Sequence, residues 1–380
     1  MSAALGEVAE FINGFAFAPS DWQEDGLPII RIQNLTDAAK PYNRTTRNVP
    51  PKYVVQPGNL LVSWSATLGV FTWNQPEPGL VNQHIFKVVP DGSRITPSYL
   101  RHMLAGALAN MERHLHGATM KHVNRGEFLS TRIPLPPVEE QRRIAAILDQ
   151  ADALRAKRRQ ALDHLDTLTQ SIFLDSFGGR PPAESRRLGE LAHVTSGLTK
   201  GRKLNGQVTR IVPYLAVANV QAGRLDLRTV KEIEATAAEI DRIALKRGDL
   251  LLTEGGDPDK LGRGTLWREE LPLALHQNHI FRVRLRDDSW VLPEYLSAFV
   301  ASREARSYFL RSAKQTTGIA SINTSQLRGL GVPIPSMASQ QRFVEALRAS
   351  EALTKTVAVQ ARTDAELFGS LQARAFAGSL

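Results

Sequence analysis

Two short polar triplets carry side chains that could contact a ligand through hydrogen bonds. Asn82-Gln83-His84 lies in the first half of the chain and Gln277-Asn278-His279 lies in the second. Amide side chains present a donor beside an acceptor, which matches the major-groove edge of adenine. They also hold turns at the starts of strands. Because two units that read different bases should differ where they read, the recurrence of the triplets favours a structural or backbone-positioning role.

Two loops that precede proline-rich stretches are better candidates for reading bases. The first loop carries Thr119, Lys121, His122 and Asn124, and the second has Gly318, Ala320, Ser321 and Asn323 at the corresponding positions. The loop type is kept while several side chains change. We expect most basic residues of the second half to contact phosphate or solvent, and neither contact specifies a sequence. The predicted DNA contacts are Ser63, Asn82, Gln83, Thr119, Lys121, His122, Asn124, Arg202, Lys203, Thr253, Gln277, Asn278, Lys314, Gln315, Ser321 and Asn323.

The ends of two matching strands complete this set. Ser63-Trp64 ends one strand candidate and Thr253-Glu254 ends its counterpart. A tryptophan such as Trp64 is more typical of a packed core than of a platform on which a base stacks.

Motifs for catalysis are absent from the sequence. There is no Asn-Pro-Pro-aromatic or Asp-Pro-Pro-aromatic loop for amino methylation, no Gly-x-Gly-x-x-Gly after a strand, and no phosphate-binding Gly-x4-Gly-Lys-Ser/Thr loop. Pro258-Asp259 has no Glu-x-Lys at the spacing of a nuclease core, which indicates a polar inserted loop. The chain has no cysteine, and no carboxylate pair lies near His114, His116 and His122 in the sequence. Surface or DNA-facing roles are therefore favoured for these histidines over a metal site. The sequence therefore predicts no enzymatic activity, no metal and no cofactor in this chain.

The composition favours an anionic partner and a reducing compartment. The chain has 380 residues, a net charge of +9 and no cysteine, and its pI is near 9.9. A basic balance suits a polyanion, and the lack of cysteine suits the cytoplasm. Glu7 and Glu10 precede any basic residue, unlike a signal peptide, and the uncharged run from Tyr53 to Pro76 is too polar to span a membrane.

A long helix must position these elements. Pro134-Leu-Pro-Pro-Val-Glu-Glu-Gln-Arg-Arg-Ile144 forces an extended lead-in, and neither proline nor glycine follows Val138 until Gly178. A helix of that length spans roughly 55 Å, which suits a spacer. Val332-Pro-Ile-Pro-Ser-Met-Ala-Ser-Gln-Gln-Arg-Phe343 repeats the lead-in before a second helix. The predicted heptad seam consists of Ile144, Ile147, Ala151, Leu154, Leu165, Leu168 and Ile172 in the first helix and Phe343, Ala346, Leu353, Val357, Leu367 and Leu371 in the second.

The order of segments repeats as well. Leu188-Gly-Glu-Leu-Ala192 answers Leu5-Gly-Glu-Val-Ala9, and Arg247-Gly-Asp-Leu-Leu-Leu-Thr253 answers Pro57-Gly-Asn-Leu-Leu-Val-Ser63. The connectivity predicts two helices that pair antiparallel and two halves related by a pseudo-two-fold axis. We expect an α+β fold with tandem mixed α/β domains. The predicted segments are a first recognition domain at 1–133, helix 1 at 134–178, a linker at 179–186, a second recognition domain at 187–331 and helix 2 at 332–380.

Together the duplicated order and the Pro-Leu-Pro-Pro-x-Glu-Glu-Gln-x-x-Ile lead-in resemble the specificity subunit of type I restriction–modification systems, over essentially the whole chain. The resemblance implies that each globular unit recognises half of a bipartite site in double-stranded DNA. It implies that the helices form a coiled coil that sets the gap and docks two methyltransferase subunits, with restriction subunits joining through the complex. S-adenosylmethionine would then be bound by the partners. In the second lead-in, Ser336, Ala338 and Ser339 replace Pro137, Glu139 and Glu140.

Two other readings remain open. The chain could be part of a fused restriction–modification enzyme, against which the missing methyltransferase motifs argue. It could instead be a structural coiled-coil spacer without DNA binding, against which the basic balance and the amide-rich units argue.

Arginines on the first helix raise a separate question. Arg158 interrupts the predicted seam, and we expect either a break in the coil there or a partner carboxylate that reaches in. The outward-facing residues Arg142, Arg143, Arg155, Lys157 and Arg159 suit an acidic partner, DNA or solvent alike.

Overall fold

The computed structural model describes residues 1–37, 39–114, 124–179, 184–204, 206–257, 261–287, 290–316 and 319–380. It divides into two compact units. Unit 1 comprises Met1–Gln160 and Ala358–Leu380, and unit 2 comprises Ala161–Val357. These units differ from the domains predicted from the sequence because each includes part of both long helices.

Unit 1 is a mixed α/β structure. Its strands are β1 (Ser2–Ala4), β2 (Ala9–Asn13), β3 (Leu27–Ile30), β4 (Arg44–Thr45), β5 (Val54–Val55), β6 (Leu60–Ser63), β7 (Gly69–Thr72), β8 (Gly79–Val81), β9 (Ile85–Pro90) and β10 (Arg132–Pro134). Its helices are α1 (Leu5–Val8), α2 (Ile32–Thr36), α3 (Pro97–His114), α4 (Arg125–Ser130) and the first part of α5 (Val138–Phe177), with short 3-10 turns at Pro19–Asp21 and Pro51–Tyr53. The sheet orders are β2-β9-β6-β7, β4-β3-β8-β5 and β1-β10.

The main core of unit 1 lies between the sheet that contains β6 and helix α3. Phe86 of the sheet and Tyr99 of α3 are buried in one apolar cluster with Ile144 and Leu148 of α5. Strand residues alternate between this core and a second cluster, in which Trp73 is buried with the inward residues of β3 and β8. The sheet is therefore covered on both faces.

Unit 2 repeats this plan with insertions. Its strands are β11 (Ser185–Arg187), β12 (Ala192–Ser196), β13 (Thr209–Leu215), β14 (Val220–Gln221), β15 (Arg224–Leu225), β16 (Lys231–Thr236), β17 (Leu250–Thr253), β18 (Gly255–Gly256), β19 (Gly264–Leu266), β20 (Leu275–His276), β21 (Ile280–Leu285), β22 (Lys314–Thr316), β23 (Ile319–Ser321) and β24 (Gly331–Pro333). Its helices are α6 (Leu188–Leu191), α7 (Ala237–Ile243), α8 (Pro293–Val300), α9 (Arg303–Ser312), α10 (Thr324–Arg328) and the first part of α11 (Met337–Ala377), with a 3-10 turn at Val217–Asn219.

The main sheets of the two units have the same order. In unit 2 the order is β12-β21-β17-β19, which matches β2-β9-β6-β7 strand for strand. Leu60 pairs with Val88 in unit 1, and Leu250 pairs with Val283 in unit 2. The smaller unit 2 sheets are β16-β13-β20, β18-β23-β22, β14-β15 and β11-β24. The connection after β17 covers residues 254–263, against 64–68 after β6, which is where the sequence predicts an insertion.

A buried glutamine explains why the lead-in motif recurs. The Gln141 side chain accepts a hydrogen bond from Thr96 N at 2.9 Å and donates to Arg94 O and Pro136 O at 2.8 and 2.9 Å. It is fully buried. One amide thus joins the proline turn, the first turn of α5 and the entry to α3.

The second lead-in contains the same arrangement. Gln340 accepts from Leu292 N at 2.8 Å and donates to Trp290 O and Pro335 O at 2.8 and 3.0 Å. Burial of an amide is favourable only when its donors and acceptor are paired, and here all three bonds go to the backbone. The glutamine is kept in both lead-ins although Ser336, Ala338 and Ser339 differ from their counterparts.

The long helices begin where the sequence predicts, but the predicted seam is partly wrong. Ile144, Phe343 and Val357 are buried, and Ile147, Ala151, Leu165, Leu168, Ile172 and Leu371 are half-buried. In contrast, Leu154, Leu353 and Leu367 are 41, 51 and 52% exposed, and Ala346 is exposed.

Other residues take the inward positions. Leu148 and Phe173 of α5 and Leu347 and Phe368 of α11 are buried. The guanidinium of Arg155, rather than Leu154, lies over the Phe368 ring at 4.2 Å. The helix ends pack against a globular layer as well as another helix, so their buried stripe is wider than a heptad seam. The heptad pattern carries no information about that layer, so it predicted buried positions for leucines that are exposed.

Candidate nucleic-acid interface

Part of the predicted interface falls on residues whose structure is not described. Thr119, Lys121 and His122 lie outside the described ranges, as does His116 and the Pro258-Asp259 pair. For Lys314 and Gln315 the backbone is described, and it pairs in β22 with Ser321 and Ala320 of β23. DNA contact by these residues stays a prediction.

Asn124 and Asn323 both begin a helix. Asn124 Oδ1 accepts hydrogen bonds from Gly126 N at 2.9 Å and Glu127 N at 3.4 Å at the start of α4. Asn323 Oδ1 accepts from Gln326 N at 2.9 Å at the start of α10. Asparagine is a strong helix cap because its side chain satisfies backbone N–H groups that the helix leaves unpaired. Capping supplies a structural reason for asparagine at both positions, and base contact by either residue remains untested.

Ser63 and Thr253 are buried, which corrects their prediction as DNA contacts. Ser63 Oγ donates to Thr67 O at 2.5 Å, and Thr253 Oγ1 donates to Arg263 O at 3.3 Å. Their exposed fractions are 0 and 1%. Each hydroxyl instead holds the connection that follows its strand. Sequence reasoning failed here because a hydroxyl at a strand end gives no signal of the direction in which it points.

Arg202 is also less available than predicted. Its guanidinium forms a two-bond ion pair with Glu239, at 2.6 and 2.7 Å, and donates to Glu234 O. This pairing lowers the pKa of Glu239 to about 2. Arg202 therefore fastens α7 to the β13–β16 ladder, whereas Lys203 beside it is exposed.

The two polar triplets lie in matching turns. In unit 1 the backbone of Asn82 bridges to Phe15 and approaches Gly14 so closely that a Cβ there would lie 2.1 Å from Asn82 O. In unit 2 a Cβ on Gly197 would lie 1.8 Å from His276 O. Only glycine permits this approach.

The amides of these turns bond locally. Asn82 Oδ1 accepts from Gln83 N at 2.6 Å, and Gln277 Oε1 accepts from Val217 N at 3.3 Å. Recurrence favoured a structural or backbone-positioning role for both triplets, and these bonds support that role for the first residue of each.

The residue after each buried hydroxyl differs between the units. Trp64 donates from its indole to Asn13 Oδ1 at 3.3 Å and lies 5.6 Å from the His84 ring. At the same place in unit 2, Glu254 Oε2 lies 2.8 Å from His279 Nδ1. Neither Glu254 nor His279 was among the predicted contacts. Alignment of the two repeats could have identified this position, because it matches the carboxylate of Glu254 with the aromatic ring of Trp64.

A group of aromatic and basic residues in unit 1 was not among the predicted contacts. Arg47 lies 4.9 Å from the Phe15 ring and Lys52 lies 5.0 Å from the Tyr53 ring. The Phe15 and Tyr53 rings are 5.4 Å apart. Stacked cations and rings of this kind suit a phosphate backbone with neighbouring bases. The closely spaced Phe15 and Phe17 were the sequence signal.

Two further searches bear on the type of site. In the part of the chain that the structure describes, no group of three or more histidine, aspartate or glutamate side chains is placed to hold a metal ion. Across the same residues, no helix combines the length and apolar character needed to cross a membrane.

Comparison with known proteins finds similar sequences and a similar fold. Residues 1–164 match the family model of the type I restriction modification DNA specificity domain. The chain is 25% identical to the type I restriction enzyme EcoBI specificity subunit of Escherichia coli, covering 99% of this chain and 85% of the relative. It is also 25% identical to the EcoKI specificity subunit of Escherichia coli strain K12, covering 100% and 88%.

The fold agrees with these similarities. A chain from a structure concerned with complex assembly and conformational transition of the type I restriction–modification system superposes with a TM-score of 0.61 at 17% identity, covering 100% of this chain and 98% of that one. The chain is therefore similar along its whole length to type I restriction enzyme specificity subunits, and it shares its fold with a solved chain of a type I restriction–modification system.

Proposed function

We propose that this chain is the non-catalytic DNA-recognition subunit of a type I restriction–modification complex, and that each globular unit reads one half of an asymmetric bipartite site. The observation that carries the proposal is the pair of matching sheets, which hold different side chains at the same scaffold position. Trp64 and Glu254 are the clearest example. A duplicated scaffold with altered surface residues is what two readers of unlike sequences require.

The two long helices would act as the spacer between the half-sites. Contacts within each unit support an antiparallel pairing. In unit 1, Arg155 lies over Phe368 and Arg143 Nη2 donates to Leu380 O at 3.1 Å. In unit 2, the rings of Phe173 and Phe343 are 5.8 Å apart. Residue numbers rise along one helix as they fall along the other in unit 1, as an antiparallel coiled coil requires.

The similarity to type I restriction enzyme specificity subunits supports a proposal for the partners. We propose that the helices dock two methyltransferase subunits, that these bind S-adenosylmethionine, and that restriction subunits join through the complex. The exposed Glu139–Arg142 and Glu140–Arg143 pairs at the start of α5 supply a mixed-charge surface for such docking. We also propose a cytoplasmic location, which the lack of cysteine supports because it suits a reducing compartment.

Duplex binding and methylation mapping test this proposal. Binding by the chain should weaken steeply as salt rises, because Lys and Arg displace counterions from phosphates. Co-expression with a methyltransferase partner should methylate adenines in two short sequences separated by a fixed gap. The purified chain alone, given S-adenosylmethionine and DNA, should transfer no methyl group.

Each alternative has its own signature. Binding that stays flat between low and physiological salt would favour a spacer protein without a DNA role. Methyl transfer by the chain free of its partner would favour part of a fused enzyme.

A further inference from the structure

Glu254 is held by backbone bonds on both sides. Its N–H donates to His279 O at 3.0 Å, and its carbonyl accepts from Ile322 N at 2.9 Å. The next two residues, Gly255 and Gly256, pair with Ser321 and Ala320 of β23. The residue therefore joins the turn that carries the second polar triplet to the hairpin predicted to read DNA. A Cβ on Gly255 would lie 2.9 Å from Ala320 O, so the glycine allows this hairpin to pack closely beside Glu254.

The Glu254 carboxylate is oriented by a short chain of hydrogen bonds. His279 Nδ1 lies 2.8 Å from Glu254 Oε2, and Asn278 Nδ2 lies 3.4 Å from His279 Nε2. Since an ionised carboxylate only accepts hydrogen bonds, His279 donates from Nδ1, and Nε2 of the neutral ring is then the acceptor for the Asn278 amide nitrogen. A carboxylate has about four acceptor positions, so this bond uses only part of its capacity. The side chains of Glu254 and His279 are 33 and 57% exposed, which leaves the pair open to an incoming ligand.

Unit 1 contains the same arrangement of contacts, with Trp64 in the place of Glu254. Trp64 N donates to His84 O at 3.4 Å, as Glu254 N does to His279 O. Gln83 Nε2 lies 3.3 Å from His84 Nε2, which parallels the bond between Asn278 and His279. The amide and the histidine recur, while the residue they serve changes from an indole to a carboxylate. The amide and the histidine of each triplet hold the residue at position 64 or 254, and that residue is the one that differs between the units.

The chemistry of a carboxylate limits the groups that Glu254 can bind. A carboxylate only accepts hydrogen bonds, and phosphates repel it. On a nucleic acid its favourable target is the exocyclic amino group of a base, above all N4 of cytosine, in the major groove. We propose that Glu254 reads such an amino group in the half-site of unit 2 and that His279 is its positioning residue. This inference rests on the proposed function of the chain as a DNA reader.

Selection from a randomised duplex pool tests the assignment. The full chain, co-purified with its methyltransferase partner, would be used to enrich duplexes with both half-sites randomised, and the bound fraction would be sequenced. Glu254→Gln keeps the shape and replaces one acceptor oxygen by a donor. Discrimination at one base pair of one half-site should fall at least about 5-fold, with the other half-site unchanged. Loss at a G·C pair identifies cytosine N4, and loss at an A·T pair identifies adenine N6.

Three variants make the result specific. Glu232→Gln removes the same charge from an exposed residue of β16 and should leave both half-sites intact. His279→Ala should weaken discrimination at the base pair that Glu254 governs, and His279→Gln, which can still donate to the carboxylate, should restore part of it.

The outcomes separate the two proposals. Unchanged preference in Glu254→Gln, with both half-sites still enriched, would overturn the assignment and leave the reader function intact. Relaxation of both half-sites together would overturn it as well. If the wild-type complex enriched no sequence, the reader function itself would fail.

Discussion

Arg158 of α5 donates from Nε to Asp364 Oδ2 of α11 at 3.3 Å, within unit 1. The sequence predicted that a carboxylate from a partner would reach Arg158, or that the coil would break there. The carboxylate instead comes from the chain itself. The Asp364 side chain is only 15% exposed, against 33% for Arg158, so the pair is partly withdrawn from water and its members depend on each other.

This ion pair should make Arg158→Leu destabilising. The single change leaves Asp364 half-buried without its cation, and should lower the free energy of unfolding by about 1–3 kcal/mol. Adding Asp364→Leu removes the orphaned charge and should recover most of the loss. Urea unfolding of the wild type, both single variants and the double variant closes the cycle. Additive single effects would mean that the two side chains do not interact.

The buried lead-in glutamines should matter far more than their neighbours. Gln340→Ala deletes three backbone-directed bonds and leaves buried groups unpaired, at a cost of about 2–4 kcal/mol. Gln141→Ala should behave alike. Gln341→Ala is the matched control, since Gln341 is adjacent and exposed and should change stability by less than about 0.5 kcal/mol. Equal urea midpoints for Gln340→Ala and Gln341→Ala would contradict the assigned role.

Asn124 can be tested for capping and base contact separately. Asn124→Ala should destabilise by about 1 kcal/mol through loss of the cap, whereas Asn124→Asp retains a capping oxygen. If Asn124 also reads a base through its amide, Asn124→Asp should alter one methylated half-sequence while unfolding is unchanged. An unaltered methylation map for Asn124→Asp would assign the residue to capping alone.

Stability should fall on mild acidification because of a buried histidine. His276 is fully buried, and burial lowers its pKa from 6.5 to about 4. The unfolded chain therefore binds a proton between these values that the folded chain does not. The contribution is complete above pH 6.5 and is lost towards pH 4, by on the order of 2–3 kcal/mol. His276→Gln should flatten the dependence measured by urea unfolding, and exposed His193→Gln should not. An unchanged slope in His276→Gln would exclude this histidine as the cause.

The helices can be tested as a ruler. Deleting one heptad from each, Leu154–Gln160 with Leu353–Val359, shortens the coil by roughly 10 Å. For helices along the DNA axis this corresponds to about three base pairs, and to fewer if the coil is tilted. The two half-sequences should persist, because neither reader is altered, while the methylated gap shrinks. The same gap in a fully active complex would show that the partners set the spacing.

Local sequence rules located the helices because their signals are local. Prolines in the lead-in and the glycine after Phe177 bound α5 as predicted, and the repeated order of segments gave matching sheets. The role of Gln141 was invisible because Arg94 and Thr96 are distant in sequence and contribute only backbone atoms. The same limit applies to Leu154 and Arg155, because the contact of Arg155 with Phe368 decides which of the two side chains points inward. It also applies to Glu254, whose partner His279 lies in a later turn. Pairings across long sequence separations decided each of these cases.

The bonds made by Gln141 and Gln340 have an evolutionary consequence. Each glutamine binds peptide groups of the segment entering α3 or α8, and these hydrogen-bond partners are all backbone atoms. Mutations in those segments can therefore accumulate without breaking the grip, provided that the main chain keeps its course. Such a joint separates the path of the main chain, which the glutamine fixes, from the side chains of the segment, which it leaves unconstrained.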